Sequence, residues 1–268
     1  MLNFLKIKIR DLLPKKHQVP IKYWYSWITG KLEPEMKLLE SIVLRSDKVI
    51  DVGGNRGVYA YQLWKLAASV EVFEPNPLCS DVLKAWAEDK PSVRINSVAL
   101  SSRSGYADLH IPIDKSGTEH DSSASIENTY AHVRDQTVPV KTLDSFRFEG
   151  VSLIKIDVEG HEYSVIEGAK ATLLSSKPAL LIEIEQRHIN RPINEVFDKI
   201  LSLGYQGYFV GLYGLNSLDK FSVSLHQSME KFSVNNRSYI NNFLFLHKER
   251  IHNNEYEHFL NASSQEIN

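Results

Sequence analysis

One stretch of ten residues constrains the fold of this chain more than any other. Residues 48–57 read K-V-I-D-V-G-G-N-R-G, and a segment of helical periodicity, 58–66, follows them. A short apolar run that ends in a glycine-rich turn before a helix is typical of the first strand, turn and helix of a nucleotide-binding βαβ unit. Glycines let the backbone turn tightly and approach a ligand, because they carry no Cβ. The stretch therefore predicts an α/β fold with a ligand at this turn.

The residues around the turn favour one kind of ligand. Gly53, Gly54 and Gly57 form G-G-x-x-G, whereas a pyrophosphate is cradled by G-x-G-x-x-G. Asp51 lies just before them, and a carboxylate there repels a pyrophosphate but attracts an ammonium group. Glu74 ends the next strand pattern, about 20 residues on, where an acid accepts hydrogen bonds from ribose hydroxyls. These features predict S-adenosylmethionine as the ligand, unless Asp51 merely caps the turn.

Strand and helix patterns alternate along most of the chain. The predicted strands of the main sheet are 48–53, 70–74, 93–98, 151–157, 179–185, 205–212 and 242–247. The predicted helices between them are 57–67, 77–88, 161–174 and 193–203. Helix-linked strands followed by a terminal strand pair predict a doubly wound, mostly parallel seven-stranded sheet with one antiparallel strand. Strand patterns at 105–112 and 137–140 interrupt this order and predict an inserted β-hairpin and loop.

The predicted sheet divides the chain into three parts. Residues 1–44 form a basic, aromatic helical extension, residues 45–250 hold the α/β domain, and residues 251–268 form a polar tail that we expect to fray. Within the domain, 112–135 and 212–240 lack periodicity, and such segments between core strands often bind substrate.

Composition excludes several classes of protein. The net charge of −2 gives no electrostatic case for a nucleic acid as the main partner. Cys79 is the only cysteine, so no internal disulfide forms and a reducing, cytoplasmic location is predicted. No apolar run approaches the roughly 20 residues that a membrane span needs.

The first residues allow two interpretations. Residues 1–22 carry six basic residues against one acid, and their apolar residues fall near helical spacing as far as Pro14. Such a segment is either an amphipathic helix on an anionic membrane surface or a cap that packs on the domain or on a second subunit. We favour the cap because the segment is short. A membrane-peripheral location and a homodimer stay as alternatives.

A second stretch brings acids to the same edge of the predicted sheet. Residues 153–162 read L-I-K-I-D-V-E-G-H-E, and the next strand ends in Glu183, Glu185 and, after a turn, His188. The carboxyl edge of an open parallel sheet is where ligands bind. Crowded carboxylates there raise one another's pKa or recruit a cation. The side chains that we single out for catalysis are Asp157, Glu159, His161, Glu183 and His188.

In combination, the motifs resemble the FkbM family of S-adenosylmethionine-dependent methyltransferases. The matching runs are D-V-G-G-N-R-G at 51–57, F-E-P-N-P at 73–77, V-K-T-L-D at 140–144 and K-I-D-V-E-G-H-E at 155–162. The resemblance covers about residues 45–247 and implies a class I, Rossmann-like methyltransferase fold. It also implies O-methylation of a sugar in a glycolipid, polysaccharide or natural product.

The resemblance also implies roles for individual residues. Asp51 would face the methionine ammonium of the cofactor, and Glu74 would hold the ribose. The other residues expected around the cofactor are Gly53, Gly54, Asn55, Gly57, Asn76, Ser97 and Ala99.

Methylation of a hydroxyl leaves two mechanisms open. A sugar hydroxyl is a poor nucleophile at neutral pH, so its proton must pass to a general base or its pKa must be lowered by a metal. In the metal version, Asp157 with Glu183 or Glu185 binds Mg²⁺, which prefers such oxygen ligands. We favour the metal-free base, with Asp157 and Glu159 as its most important residues.

Three other functions compete with this prediction. A nicotinamide-dependent, sugar-modifying oxidoreductase uses a related sheet, and a non-catalytic scaffold retains the fold without the reaction. A nucleic-acid methyltransferase is disfavoured by the charge balance and by the lack of an N/D-P-P-Y/F motif for base amines.

Overall fold

A computed structural model describes residues 12–114, 119, 123–127, 132–211, 214–228, 230 and 239–265. The strands of the main sheet are β1 (Lys48–Val52), β2 (Ser69–Phe73), β3 (Val93–Asn96), β7 (Val151–Ile156), β8 (Ala179–Glu183), β9 (Tyr205–Gly211), β10 (Gly214–Ser217) and β11 (Asn242–His247). A second sheet holds β4 (Ala99–Leu100), β5 (Gly105–Pro112) and β6 (Val133–Lys141).

Helices cover both faces of the main sheet. They are α1 (Lys15–Ile28), α2 (Met36–Ile42), α3 (Val58–Leu66), α4 (Pro77–Ala87), α5 (Glu162–Gly168), α6 (Lys170–Ser176), α7 (Ile193–Ser202), α8 (Val223–His226), α9 (Lys248–His252) and α10 (Glu257–Gln265). Short 3₁₀ helices span Leu143–Phe146 and Leu218–Lys220. No helix of the described residues combines the length and the hydropathy needed to cross a bilayer.

The strand order creates a crevice beside β1. The sheet runs β10-β9-β11-β8-β7-β1-β2-β3, and β1 pairs in parallel with both β2 and β7. The chain winds outward from β1 through β2 to β3, and then from β7 on the other side. This reversal is the topological switch point where open α/β sheets bind ligands. The doubly wound, mostly parallel fold is therefore as predicted, with β11 antiparallel to β8 and β9.

An eighth strand lies beyond the seven that the sequence pattern predicts. β10 pairs antiparallel with β9, from Gly214 opposite Gly211 to Ser217 opposite Tyr208. The prediction had placed these residues in the 212–240 loop and allowed only one antiparallel strand. The segment G-L-N-S is too short and too polar to show an alternating pattern. Its pairing follows instead from its position two residues after β9, where a hairpin forms easily.

The inserted hairpin is larger than its sequence pattern. β5 and β6 pair antiparallel from Gly105 opposite Val140 to Pro112 opposite Val133, and β4 adds a parallel strand next to β6. The predicted strand 137–140 is thus the last part of a nine-residue strand. Residues 134–137 of this strand are all polar or charged, R-D-Q-T, so hydrophobicity did not reveal it. Eleven of the 24 residues of the predicted 112–135 loop, namely 115–118, 120–122 and 128–131, lie outside the described residues.

The N-terminal extension packs on the domain in its described part. α1 lies against α4 and α3, with Val19 and Tyr23 fully or almost fully buried. α2 buries Met36 and Leu39. Pro14, predicted to end a helical pattern, in fact immediately precedes α1. Because proline lacks an N–H, it suits the start of a helix as well as its end. The predicted pattern over residues 1–11 lies outside the described residues.

Two predictions about helices are wrong. The segment 161–174 forms two helices, which meet at Ala169. The tail after Arg250 was expected to fray, but up to residue 265 it is helical and forms the end of α9 and all of α10. Tyr256 and Phe259 are buried there, and the Arg250 guanidinium lies 5.2 Å from the centre of the Tyr256 ring. These two aromatic side chains anchor a segment whose composition is otherwise polar.

Candidate active site

A cleft opens at the carboxyl ends of β1, β2 and β7, and the empty space in it, open solvent included, is about 580 Å³. Its walls come from the glycine turn, from the ends of the neighbouring strands and from the insertion. The residues that line it include Gly53, Asn55, Phe73, Glu74, Val98, Ala99, Leu109, Ala124, Ser125, Ile126, Asp157, Val158, Glu159 and His161.

The glycine turn is shaped by contacts that exclude a Cβ. Gly53 has φ +82°, and a Cβ there would lie 1.7 Å from the Asp157 carbonyl oxygen. A Cβ on Gly54 would lie 2.3 Å from Val72 Cγ1. Gly57 instead faces α1 and α4, and neither it nor Gly54 lines the cleft. The turn thus lets β1 and β7 approach closely, and Gly53 presents its backbone to the cleft.

Asp51 is a fully buried carboxylate behind the glycine turn. Its side chain is fully inaccessible, and neither oxygen has a hydrogen-bond partner within the part of the chain that the structure describes. It lies behind the turn, where a Cβ on Gly54 would be 3.8 Å from Asp51 Oδ2. Burial raises the pKa of Asp51 to about 6, although the charge of Lys155 opposes this shift. A carboxylate in this state gains most from an approaching cation, and the ammonium of S-adenosylmethionine would supply one.

Glu74 lies at the end of β2 and lines the cleft. Its carboxylate accepts hydrogen bonds from the backbone N–H of Asn55, 2.6 Å away, and of Asn76, 2.8 Å away. Burial raises its pKa to about 7, while these two N–H groups lower it. Because each carboxylate oxygen can accept more than one hydrogen bond, Glu74 retains capacity for ribose hydroxyls. Its position fits the predicted ribose role.

Three other predicted cofactor residues have different positions. Asn76 is buried, accepts the Leu78 N–H as the cap of α4, and does not line the cleft. Its contribution is therefore to hold Glu74 through its backbone. Ala99 lines the cleft next to Val98, whereas Ser97 does not, and the buried Ser97 hydroxyl has no hydrogen-bond partner among the described residues.

Asp157 is held by a buried lysine. Lys155 Nζ lies 2.9 Å from Asp157 Oδ2 and 4.6 Å from the centre of the Tyr59 ring. Burial lowers the pKa of Lys155, but the charges of Asp157 and Asp51 outweigh this effect and raise it. Lys155 therefore stays charged between the two acids, and it fixes the Asp157 carboxylate at the cleft wall.

Glu159 combines backbone strain with a histidine partner. Its φ of +53° is in the left-handed region, which a residue with a side chain seldom occupies. His188 Nδ1 lies 2.8 Å from Glu159 Oε2. Burial raises the pKa of Glu159. Burial lowers the pKa of His188, but the hydrogen bond and charge of Glu159 outweigh it and raise that pKa. Glu159 lines the cleft, and a strained carboxylate that is hydrogen-bonded to a histidine is a typical acid–base arrangement.

His161 links the cleft to the insertion. Its Nδ1 lies 2.7 Å from Glu127 Oε1, and its Nε2 lies 2.9 Å from Ser101 Oγ. The Ser125 hydroxyl also donates to the Glu159 carbonyl oxygen, over 2.8 Å. Both nitrogens of His161 are thus engaged, although its side chain lines the cleft. The arrangement favours a role for His161 in fastening the insertion over a role as the base.

The predicted metal ligands are not arranged around a common point. Glu183 accepts a hydrogen bond from Asn241 Nδ2 over 2.8 Å, and Glu185 pairs with Arg187 Nε and Nη2 at 2.7 and 2.9 Å. Asp157 is paired with Lys155. Within the described ranges, no group of three or more His, Cys, Asp or Glu side chains is placed to hold a metal ion. The donor set does not fit Mg²⁺, and Glu183 and His188 lie outside the residues that line the cleft.

The structure also adds residues that sequence reasoning missed. The Tyr59 hydroxyl donates to Glu33, which comes from the N-terminal extension, and Asn242 Nδ2 donates to the same carboxylate over 3.2 Å. Because the Tyr59 ring lies under Lys155, Glu33 is connected through Tyr59 and Lys155 to Asp157. A lysine inside the apolar run of β7 was a usable signal, since unpaired lysines are almost never buried. No sequence pattern pointed to Glu33.

The comparison with known families now decides the class of the protein. The family model described as "Methyltransferase FkbM domain" matches residues 51–208, more than half of the chain. The chain belongs to the FkbM methyltransferase family. It is thus a methyltransferase, as predicted, and the oxidoreductase and scaffold alternatives have no support. Family membership and the position of Glu74 at the cleft wall support S-adenosylmethionine as the methyl donor, whereas Asp51 is buried behind the turn and is not among the residues that line the cleft.

Individual relatives are more distant. The chain is 26% identical over 166 residues to the 2-O-methyltransferase NoeI of Sinorhizobium fredii, covering 56% of this chain and 68% of the relative. It is 30% identical over 151 residues to the hexuronic acid methyltransferase AglP of Haloferax volcanii, covering 56% of this chain and 60% of that protein. A solved methyltransferase FkbM from Methylobacillus flagellatus KT has a TM-score of 0.49 at 16% identity, over 75% of this chain and 44% of the other.

Proposed function

We propose that this FkbM-family enzyme is an O-methyltransferase that acts on a sugar hydroxyl of a glycan, glycolipid or glycosylated natural product. The observation that carries the proposal is Glu159 at the cleft wall, hydrogen-bonded to His188, because a hydroxyl acceptor needs a proton acceptor. The names of two relatives, a 2-O-methyltransferase and a hexuronic acid methyltransferase, agree with this acceptor class.

In this proposal the cofactor half of the site binds S-adenosylmethionine and orients it. S-adenosylmethionine, when bound, supplies an electrophilic methyl group on a sulfonium that needs no further activation. Asp51 attracts the ammonium group by charge, and Glu74 accepts hydrogen bonds from the ribose. Val98 and Ala99 offer an apolar wall suited to the adenine ring. Gly53 lets the backbone pass close to the ligand without a side chain in the way.

Glu159 is the candidate base in this proposal. Its raised pKa brings it closer to neutrality than an ordinary glutamate, which improves proton uptake during the transfer. The proton moves from the acceptor hydroxyl to Glu159 Oε as the new O–CH₃ bond forms. His188, hydrogen-bonded to the same carboxylate, then stabilises the charge distribution of the pair.

Asp157 has a positioning role beside the base. Its ion pair with Lys155 makes it a well-fixed hydrogen-bond acceptor for the substrate hydroxyl. Fixing the acceptor oxygen in line with the methyl group supplies much of the rate increase in such transfers. The predicted substrate loops, the domain boundaries, the cytoplasmic location and a homodimer stay predictions.

Mass spectrometry of glycans from the host strain, with and without this gene, tests the proposal. The expected result is the loss of one CH₂ from a single sugar when the gene is deleted and its return when the gene is restored. Identical glycan masses in both strains, with a methyl group missing from some other class of molecule, would contradict the sugar acceptor.

A further inference from the structure

The outer face of α1 carries apolar side chains that no described residue covers fully. Ile21, Trp24 and Ile28 share one stripe at i, i+3 and i+7 spacing and are 45%, 42% and 73% exposed. Tyr25 and Trp27 flank the stripe at 47% and 59% exposure. A contiguous patch of large apolar residues at the surface usually marks a site of interaction. We call these five residues the outer face of α1.

The packing of α1 on the domain does not explain this face. The opposite side of the helix already buries Val19 and Tyr23 against α3 and α4. α1 therefore has two apolar sides, of which one forms the cap and the other faces solvent. Val19 also fixes where the helix lies, because its methyl groups are 3.0 and 3.1 Å from the position of a Cβ on Gly57. α1 thus crosses the end of the glycine turn, close to the cofactor cleft.

Positive charge surrounds the outer face. Residues 12–32 contain four lysines and no acidic residue. Lys31 Nζ lies 5.8 Å from the centre of the Tyr25 ring, and Lys65 Nζ from α3 lies 5.3 Å from that of Trp24. One lysine, Lys15, pairs with Asp81 of α4 at the edge of this region. Tryptophan and tyrosine next to lysines are the composition of helices that lie in the headgroup region of anionic bilayers.

The charge also argues against a second copy of the chain on this face. In a two-fold symmetric dimer the same surface meets itself, so the lysines of one outer face would oppose those of the other. An anionic bilayer instead attracts each nearby lysine and accepts the aromatic rings. We infer that the outer face of α1 docks the enzyme on an anionic membrane surface, with the cofactor cleft beside the bilayer. The inference does not depend on the identity of the acceptor.

Vesicle flotation of the full-length protein tests the inference. The probes are vesicles of phosphatidylcholine alone and of phosphatidylcholine mixed with phosphatidylglycerol, at low and at physiological salt. The variants are Trp27→Ser/Ile28→Ser, which removes the most exposed apolar pair, and Lys16→Glu/Lys31→Glu, which reverses two charges. Tyr106→Ser is the matched control, because Tyr106 is an aromatic side chain of β5 that is 80% exposed. Circular dichroism verifies that every variant is folded.

The expected result is binding to the anionic vesicles only, weaker at higher salt, with a blue shift of tryptophan fluorescence. Lys16→Glu/Lys31→Glu should lose roughly tenfold or more in affinity, since each lysine near such a surface contributes about 1 kcal/mol. Trp27→Ser/Ile28→Ser should lose roughly as much, because it removes the apolar side chains that enter the headgroup region. The control should bind like the wild type. Failure of the wild type to bind anionic vesicles at low salt overturns the inference, as does binding that both double variants retain. If the wild type is a dimer in solution and the Trp27→Ser/Ile28→Ser variant is a monomer, the outer face of α1 binds a second copy of the chain instead.

Discussion

The two halves of the site are built in different ways. Apart from the wall formed by Val98 and Ala99, the cofactor half comes from a short, continuous part of the chain, Asp51 to Asn76, and depends mainly on backbone geometry. The acceptor half joins side chains that are far apart in sequence, such as Glu33 with Asn242 and Glu159 with His188. Backbone turns fix the first half, whereas pairs of charged side chains fix the second. Substitutions should therefore separate binding of the cofactor from turnover.

The largest effect is expected in the acceptor half. Glu159→Gln removes the candidate base, and loss of a general base typically costs about 10²–10⁴-fold in turnover. The measurement is methyl transfer from tritiated S-adenosylmethionine to the glycan fraction of the deletion strain. Affinity for S-adenosylhomocysteine, measured by calorimetry, should stay unchanged. Glu195→Gln, on the half-exposed side of α7, is the control. Equal turnover in both variants would remove Glu159 from the mechanism.

The cofactor half should instead fail through its backbone. Gly53→Ala puts a Cβ 1.7 Å from the Asp157 carbonyl oxygen, so urea unfolding should show a loss of about 3 kcal/mol or more. Gly150→Ala is the matched control, because Gly150 also has positive φ, +65°, but has nothing within 4 Å of that position. It should lose only about 1–2 kcal/mol. Similar losses at both positions would mean that the close contact between β1 and β7 does not shape the turn.

Affinity for the cofactor should depend on pH through Asp51. Its pKa is about 6, so the carboxylate is mostly protonated at pH 5 and ionised at pH 7.5. Affinity for S-adenosylhomocysteine, whose ammonium stays charged, should rise about tenfold over this range. Asp51→Asn should bind more weakly and flatten the profile. A steep profile in that variant would assign the pH dependence to another group, such as Glu74.

The raised pKa of Asp51 affects the stability of the unliganded protein in the opposite direction: cofactor affinity should rise with pH, whereas stability should fall. Because the folded state raises the pKa of Asp51 from 3.8 to about 6, it binds the proton more tightly than the unfolded chain does. The contribution of Asp51 to the free energy of unfolding should therefore fall as pH rises from about 4 to about 6. Urea unfolding of wild type and Asp51→Asn isolates this contribution as a difference between the two pH profiles.

The smallest effect is expected where the extension meets the acceptor half. Tyr59→Phe removes the hydrogen bond to Glu33 but keeps the ring under Lys155. The lost hydrogen bond is worth about 1 kcal/mol, and if that free energy helps to position Asp157 in the transition state, turnover should fall roughly fivefold. The Michaelis constant for S-adenosylmethionine should not change, and Tyr106→Phe provides the control. If Tyr59→Phe lowers only the free energy of unfolding and turnover stays normal, the role of Glu33 is structural.

The same contrast explains what the sequence could predict. The sheet, its switch point and the cleft follow from periodicity and from glycines near acids, because these signals are local. β10 and the tail helices were missed, since pairing with β9 and the burial of Tyr256 and Phe259 depend on tertiary contacts. The Mg²⁺ prediction lacks support for a related reason. The carboxylates that it groups, Asp157, Glu183 and Glu185, are paired with separate partners, Lys155, Asn241 and Arg187.

Calorimetric titration of the full-length protein with S-adenosylhomocysteine and with NAD tests the central claim most directly. The acid-flanked glycine turn predicts one molecule of S-adenosylhomocysteine bound per chain and no heat of binding with NAD. Binding of NAD without binding of S-adenosylhomocysteine would contradict the assignment of this turn.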